Sequence, residues 1–168
     1  MEEKKKQVVL IFKRKNLLYS ISNYAYIVGH PMPDNTENNK HMIIDVCEEG
    51  NIDRVNRILS TIHALVIEML HPLTRTEAVE EEVNDDIWEP DEYRIELYVP
   101  DKFSRTTIHL LRNLIHEFMV YRVLYDWFSM LYPDAASAWA AKANEAEEKI
   151  NQIKNLRIGT LVRPQQPF

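Results

Sequence analysis

Residues 117–139, EFMVYRVLYDWFSMLYPDAASAW, join the two longest predicted helices and are the most informative part of the sequence for the fold. Its first half carries apolar and aromatic side chains around most of a helix circumference: Phe118, Tyr121, Leu124, Tyr125, Trp127, Phe128 and Met130. A helix that is apolar almost all round is buried at the centre of its fold or at a subunit interface. Pro133 then ends one helix and an alanine-rich helix begins. The stretch predicts a helical bundle built around this helix pair, with some aromatic area left for a partner.

Helical periodicity continues on both sides of this stretch. Helix-capping residues and breakers set the expected boundaries. The predicted helices are 16–28, 36–49, a third from Asn51 to shortly before Pro72, a fourth capped by Ser104 and running to about Tyr132, and a last one from Pro133 to about 156. Within the fourth helix, Arg122 and Asp126 are four residues apart, and we expect them to pair across one turn.

Two segments have the period of strands instead. QVVLIF, residues 7–12, is short, β-branched and aromatic, and YRIELYV, residues 93–99, alternates apolar and polar side chains. With EAVEEEV at 77–83, the second segment predicts a β-hairpin at about 75–100, joined by a long acidic loop, with the first strand alongside. The fold class is therefore mainly α (α+β): a bundle of about five helices with a small antiparallel sheet, in the order β-α-α-α-β-β-α-α. Residues 1–156 form one domain, followed by an extended C-terminal arm at 157–168.

Composition excludes several functional classes. At 168 residues the chain fits a single domain. Its net charge of −6 disfavours nucleic-acid binding, and three glycines disfavour a glycine-rich phosphate-binding loop. No stretch approaches the roughly 20 apolar residues of a membrane span. The single cysteine, Cys47, cannot form an internal disulfide and is expected to be a small core residue.

The six histidines do not predict a metal site or a catalytic site. His109 and His116 are two helical turns, roughly 10 Å, apart. Zinc peptidases instead place two histidines four residues apart with a glutamate between them. We therefore expect no metal, no cofactor and no enzymatic activity, and we expect helix histidines that are exposed or hydrogen-bonded.

Acidic residues are concentrated between Glu77 and Glu92, where nine of sixteen positions are Asp or Glu. One interpretation is a solvated edge on which negative charge prevents unwanted strand pairing. Another is a contact surface for a basic partner, such as the arm of a neighbouring copy or the lysine-rich start of the chain. The candidate residues for this surface are Glu80, Glu81, Glu82, Asp85 and Asp86.

The C-terminal segment RIGTLVRPQQPF, residues 157–168, combines apolar and cationic side chains with two prolines that favour extended backbone. It is either a disordered terminus or an arm that binds another subunit. The candidate partner-binding residues are Arg157, Ile158, Leu161, Val162, Arg163 and Phe168.

The block IHEFMVYRVLYDWFSMLYPDAASAWAAKANEAEEKI, residues 115–150, followed by this segment, resembles the head–tail connector (adaptor or head-completion) family of tailed bacteriophages that infect gut anaerobes. The resemblance covers about 104–168, with a weaker echo at 50–70. It implies a virion neck protein, assembled in the host cytoplasm, that forms a ring, commonly twelvefold, beneath the portal protein. In that family the terminal arm reaches the portal or an adjacent subunit, and DNA passes through the ring as cargo without specific binding.

Two alternatives stay open. The strand and the acidic hairpin give more β structure than the simplest connectors have, which would also suit a tail-completion protein of the same virion. Outside the virion, the alternative is a bacterial protein-binding or regulatory module that uses the acidic hairpin.

Overall fold

The computed structural model of the chain describes residues 5–31, 37–74 and 78–158. These residues confirm the mainly α fold, with five helices and a two-stranded antiparallel sheet. The elements are β1 (Lys5–Lys13), α1 (Arg14–Gly29), α2 (Glu37–Ile44), a 3-10 turn (Asp45–Cys47), α3 (Ile52–Met69), β2 (Glu92–Pro100), α4 (Arg105–Leu131) and α5 (Pro133–Ile158).

The sheet pairs β1 with β2 in antiparallel register, with Leu10 opposite Ile95 and Phe12 opposite Tyr93. These four side chains are buried on the face that contacts the helices. The alternation at 93–99 thus predicted a strand correctly. The predicted hairpin is wrong in its first strand, because residues 78–90 form no strand and β1 takes that place beside β2. The physical reason is that β1 offers the larger apolar face, with Val8, Leu10 and Phe12 packed on the core, whereas the glutamate-rich segment offers only Val79 and Val83.

Helices α4 and α5 form an antiparallel pair that confirms the prediction from residues 117–139. Ser104 caps α4 as expected, since its Oγ accepts a hydrogen bond from the Thr107 backbone N–H at 3.1 Å. Trp139 of α5 is buried, with its ring 6.1 Å from that of Phe128 and 5.8 Å from that of Tyr121. Most of the aromatic surface of α4 is therefore used inside the domain.

The early helices differ from prediction at their ends. Helix α1 begins directly after β1, at Arg14, whose backbone N–H donates to the Asp91 carbonyl at 3.0 Å. Helix α2 stops at Ile44, and its continuation is the 3-10 turn. Gly29 ends α1 as predicted, and it is buried where α1 meets α2. A Cβ atom at this glycine would lie 2.9 Å from Cγ1 of Ile44, so the close approach of the two helices requires glycine.

Helix α5 continues through Ile158, two residues beyond the predicted end at about 156. Arg157 and Ile158 belong to its last turn and not to an extended arm. The sequence explains this, since it holds good helix formers and no glycine or proline between Asp134 and Ile158. Lys154 Nζ donates to the Met69 carbonyl at 2.7 Å and joins this end of α5 to the end of α3. The other arm residues, Leu161, Val162, Arg163 and Phe168, lie outside the described residues.

Candidate interaction surfaces

The acidic segment, residues 78–91, crosses the surface beside α3 and β2 without helix or strand structure. Arg57 of α3 contacts it at Asp85, with Nη1 at 2.7 Å from Oδ1 and Nη2 donating to the Asp85 carbonyl at 3.1 Å. Arg14 of α1 contacts it at Glu89, with Nη1 at 2.8 Å from Oε1. Both ion pairs are at least partly exposed, so water screens them and each adds little stability.

Trp88 is the apolar anchor of the acidic segment. Its ring lies edge-on to Tyr93 of β2, with centroids 5.2 Å apart, and 5.6 Å from the ring of His63. The Nε2 atom of His63 is 2.8 Å from the Arg94 carbonyl oxygen, which can only accept, so this nitrogen carries the proton. Burial lowers the pKa of His63, and this hydrogen bond offsets part of that effect. The second half of the acidic segment is therefore fixed on α3 and β2.

A buried polar cluster lies beneath this anchor, and sequence reasoning missed it. Arg14 Nη1 donates to Oδ1 of the fully buried Asn56 at 3.3 Å. Within the described residues, the Asn56 amide nitrogen and the Tyr93 hydroxyl are buried without a hydrogen-bond partner. Burial raises the pKa of Tyr93 to about 12. One feature of the sequence could have indicated this cluster: Asn56 and His63 are polar and lie seven residues apart on the otherwise apolar inner side of α3.

The first half of the acidic segment is open to solvent. Glu80, Glu81 and Glu82 are exposed, as the sequence predicted for a charged surface. Val79 and Val83 flank them with 69% and 86% of their surface accessible. Of the other candidates, Asp85 is paired with Arg57, and Asp86 is exposed, with its backbone N–H bonded to Asn84 Oδ1 at 3.2 Å. The open part is thus an acidic strip flanked by two exposed valines.

The two edges of the sheet differ. The outer edge of β2 is covered, since the Tyr98 N–H donates to the Leu73 carbonyl at 2.8 Å and the Arg94 carbonyl accepts from His63. In the described part of the chain β1 pairs with β2 alone, so its other edge keeps unpaired backbone groups. A groove of about 310 Å³ lies between this edge and α4. The edge groove, as we call it, is lined by Val8, Val9, Leu10, Ile11, Ile108, His109 and Arg112.

The histidine pair of α4 and the single cysteine lie outside the acidic segment. His116 Nε2 lies 3.1 Å from Ser20 Oγ, and burial lowers the pKa of His116. His109 is exposed. Cys47 is partly buried in the 3-10 turn, its Sγ donates to the Leu18 carbonyl at 3.7 Å, and burial raises the pKa of its thiol. Residues 5–31, 37–74 and 78–158 hold no group of three or more His, Cys, Asp or Glu arranged to bind a metal ion.

The expected pair of Arg122 and Asp126 is wrong. Asp126 Oδ2 accepts from Arg54 of α3, with Nη2 at 2.8 Å and Nε at 3.1 Å, while the Arg122 guanidinium lies 5.9 Å from the centre of the Tyr125 ring. A two-bond contact from a neighbouring helix is geometrically better than a pair along one helix. Asp126 therefore joins α3 to α4.

Comparison of the chain with protein-family models, with curated proteins and with solved structures finds no match. Among the helices of the described ranges, none has the length and apolar character needed to cross a membrane. Among the described residues, the acidic segment and the edge groove are surfaces that are open to a partner.

Proposed function

We propose that the chain is a non-enzymatic structural protein of the bacteriophage neck, a head–tail connector that forms a ring beneath the portal protein and binds it through the C-terminal residues 161–168. The observation that carries this proposal is the α4–α5 pair. The block at 115–150, on which the family resemblance rests, forms one continuous packed unit in which Phe128 and Trp139 stack with their planes 17° apart.

The charge of the chain supports a channel function. With a net charge of −6, a ring of copies surrounds its channel with protein that repels the DNA backbone. Such a wall lets DNA pass as cargo without holding it. The exposed carboxylates of Glu80, Glu81 and Glu82 contribute three of the negative charges.

The experiment is co-expression of the full chain with the portal protein encoded in the same genome, followed by affinity purification and electron microscopy. We expect the two proteins to co-purify with the chain as a ring on the portal. Deletion of residues 161–168 should abolish co-purification, and thermal unfolding of the truncated chain should match that of the full chain, which separates lost binding from lost folding. Replacement of Gln165 and Gln166 by serine is the matched control and should leave binding intact, because it keeps the apolar and cationic candidate residues Leu161, Val162, Arg163 and Phe168.

Two results would reject parts of this proposal. A truncated chain that still co-purifies with the portal rejects the C-terminal contact. A full chain that does not bind the portal, but binds tail proteins of the same virion, assigns it to tail completion instead.

The exposure of Glu80, Glu81 and Glu82 favours the second candidate, a bacterial protein-binding module that uses the acidic segment. The two candidates differ in which variant loses its partner. Under the second candidate, replacing the three glutamates by glutamine abolishes binding to a basic protein partner, whereas deletion of residues 161–168 leaves it unchanged.

A further inference from the structure

We propose that the edge groove of one copy binds residues 78–84 of a second copy as an added β-strand, so that the copies associate head to tail. This inference specifies the subunit contact of the proposed ring and rests on that function for ring closure. Its partner is a second copy of this chain, and its contact is main-chain pairing with β1.

The receiving surface is a strand edge with space beside it. The backbone groups of β1 that have no strand partner among the described residues lie along the edge groove, whose volume is about 310 Å³. Its lining includes Val8 and Ile108, which are half-buried against the core. Ile11, on the solvent face of the sheet, is 41% exposed. A strand entering here gains main-chain hydrogen bonds from β1 and covers this apolar area.

The entering segment has the pattern that such a strand needs. In extended backbone, successive side chains point to opposite faces, so Val79, Glu81 and Val83 share one face. Placed toward the groove, the two valines cover its apolar lining and Glu81 reaches Arg112. Glu80 and Glu82 then lie on the solvent face. The open valines thereby gain a partner, which they lack on their own copy.

The charges of the edge groove favour the acidic segment over the C-terminal residues as its occupant. In the described part of β1, Lys5, Lys6 and Lys13 are cationic and no residue is acidic. Lys6 is paired with Asp101 at 2.9 Å, and Arg112 adds a positive charge on the groove wall. The segment 78–86 holds five carboxylates and no cation. Opposite charges guide association and set the register of two surfaces. The arginine-containing residues 161–163 would instead bring positive charge to a positive edge.

The two surfaces cannot meet within one copy, because they lie at opposite edges of the sheet. The acidic segment is fixed beside β2 by Trp88 on Tyr93 and by Asp85 on Arg57, whereas the edge groove lies between β1 and α4. A contact between two different surfaces is heterologous and produces a ring when the rotation between copies closes.

The test exchanges the charges of the two surfaces in the full chain. Sedimentation velocity then measures self-association at protein concentrations from about 10 µM to about 1 mM and at low salt. Wild type should associate reversibly. Glu81→Arg alone and Arg112→Glu alone should each weaken association by about tenfold or more, since each places like charges together. An equimolar mixture of the two variants should associate again, because the arginine introduced at position 81 of one copy then faces the glutamate introduced at position 112 of the other. Glu148→Arg, an equal charge change on the exposed side of α5, is the control and should associate like wild type.

A backbone readout complements the charge exchange. Hydrogen exchange at high and low protein concentration should show added protection of amides at 5–12 and 78–83 on association. A wild-type chain that stays monomeric at the highest concentration overturns the inference, as does a mixture that stays dissociated. Association that survives all the charge variants but is lost on deleting 161–168 assigns the groove to the C-terminal residues and also overturns it. Portal binding is a separate measurement: a chain that self-associates as described but does not bind the portal keeps this inference and rejects the neck assignment.

Discussion

The indole Nε1 of Trp127 donates a hydrogen bond to the Ile43 carbonyl oxygen, 3.2 Å away and 84 residues earlier in the chain. Both residues are buried, so no water can replace the donor. This bond fixes the C-terminal part of the apolar helix α4 to α2.

Trp127→Phe should lower the free energy of unfolding by about 1–3 kcal/mol, because the Ile43 carbonyl then stays buried without a donor. Urea unfolding followed by circular dichroism measures the change. Trp88→Phe, on a ring that is 46% exposed, is the control and should cost less. Equal losses in the two variants would show that the bond to Ile43 adds nothing specific.

Gly29 and Gly50 offer a matched pair of substitutions. Gly29→Ala should destabilise the protein by about 1–3 kcal/mol, because the new methyl group would lie 2.9 Å from Ile44 Cγ1. Gly50→Ala meets no atom within 4 Å, and a reduced entropy of the unfolded chain should make it neutral or stabilising by up to about 1 kcal/mol. Thermal unfolding of both variants tests this difference, and a stable Gly29→Ala variant would contradict the close approach of α1 and α2.

The protein should lose stability as pH falls below the usual histidine pKa of 6.5. Burial lowers the pKa of His63 and His116 in the folded state, so the unfolded chain binds more protons in this range. The stability that both residues contribute is complete above pH 6.5, and it declines as the pH falls toward their pKa values in the folded state. The double variant His63→Gln and His116→Gln should show a flatter pH dependence between about pH 7.5 and 5.5, measured by urea unfolding. An unchanged slope in the double variant would exclude these two histidines as its source.

Trp88, more than the ion pair of Arg57 and Asp85, should hold the acidic segment in place. Trp88→Ala removes the contacts with Tyr93 and His63 and should cost about 1–2 kcal/mol of stability, whereas Arg57→Ala should cost less than about 1 kcal/mol because its pair is exposed. Hydrogen exchange of residues 85–90 should increase clearly in the first variant only. The opposite order would make the ion pair the main anchor.

Local features were predictable from the sequence, whereas the neighbours of each strand were predictable only in part: the first strand was expected in the sheet, but so was a strand at 77–83, and residues 78–83 form none. Ser104 and Pro133 define the ends of α4 through contacts within a few residues, so their roles follow from sequence alone. The alternation at 93–99 reveals which face of β2 is buried, but it does not reveal which strand lies beside it. That depends on the apolar face of β1, far away in sequence.

In the candidate surfaces, too, local features were predictable and tertiary contacts were not. The exposure of Glu80, Glu81 and Glu82 was predictable because three adjacent glutamates cannot be buried together. The docking of Trp88 and the polar cluster at Asn56 depend on tertiary packing of α1, α3 and β2. Arg54, on another helix, competes successfully with Arg122 for Asp126, which no spacing rule within α4 can indicate.

Because β1 and β2 are far apart in sequence, the ribosome synthesises β1 well before the strand that pairs with it. At about 5–20 residues per second, several seconds pass between the emergence of Lys13 and that of Pro100. During that interval the nascent strand VVLIF has two open edges and no sheet to join. The lysines at 5, 6 and 13 border this apolar run and repel other nascent copies, which protects the strand from misassembly until its partner has been made.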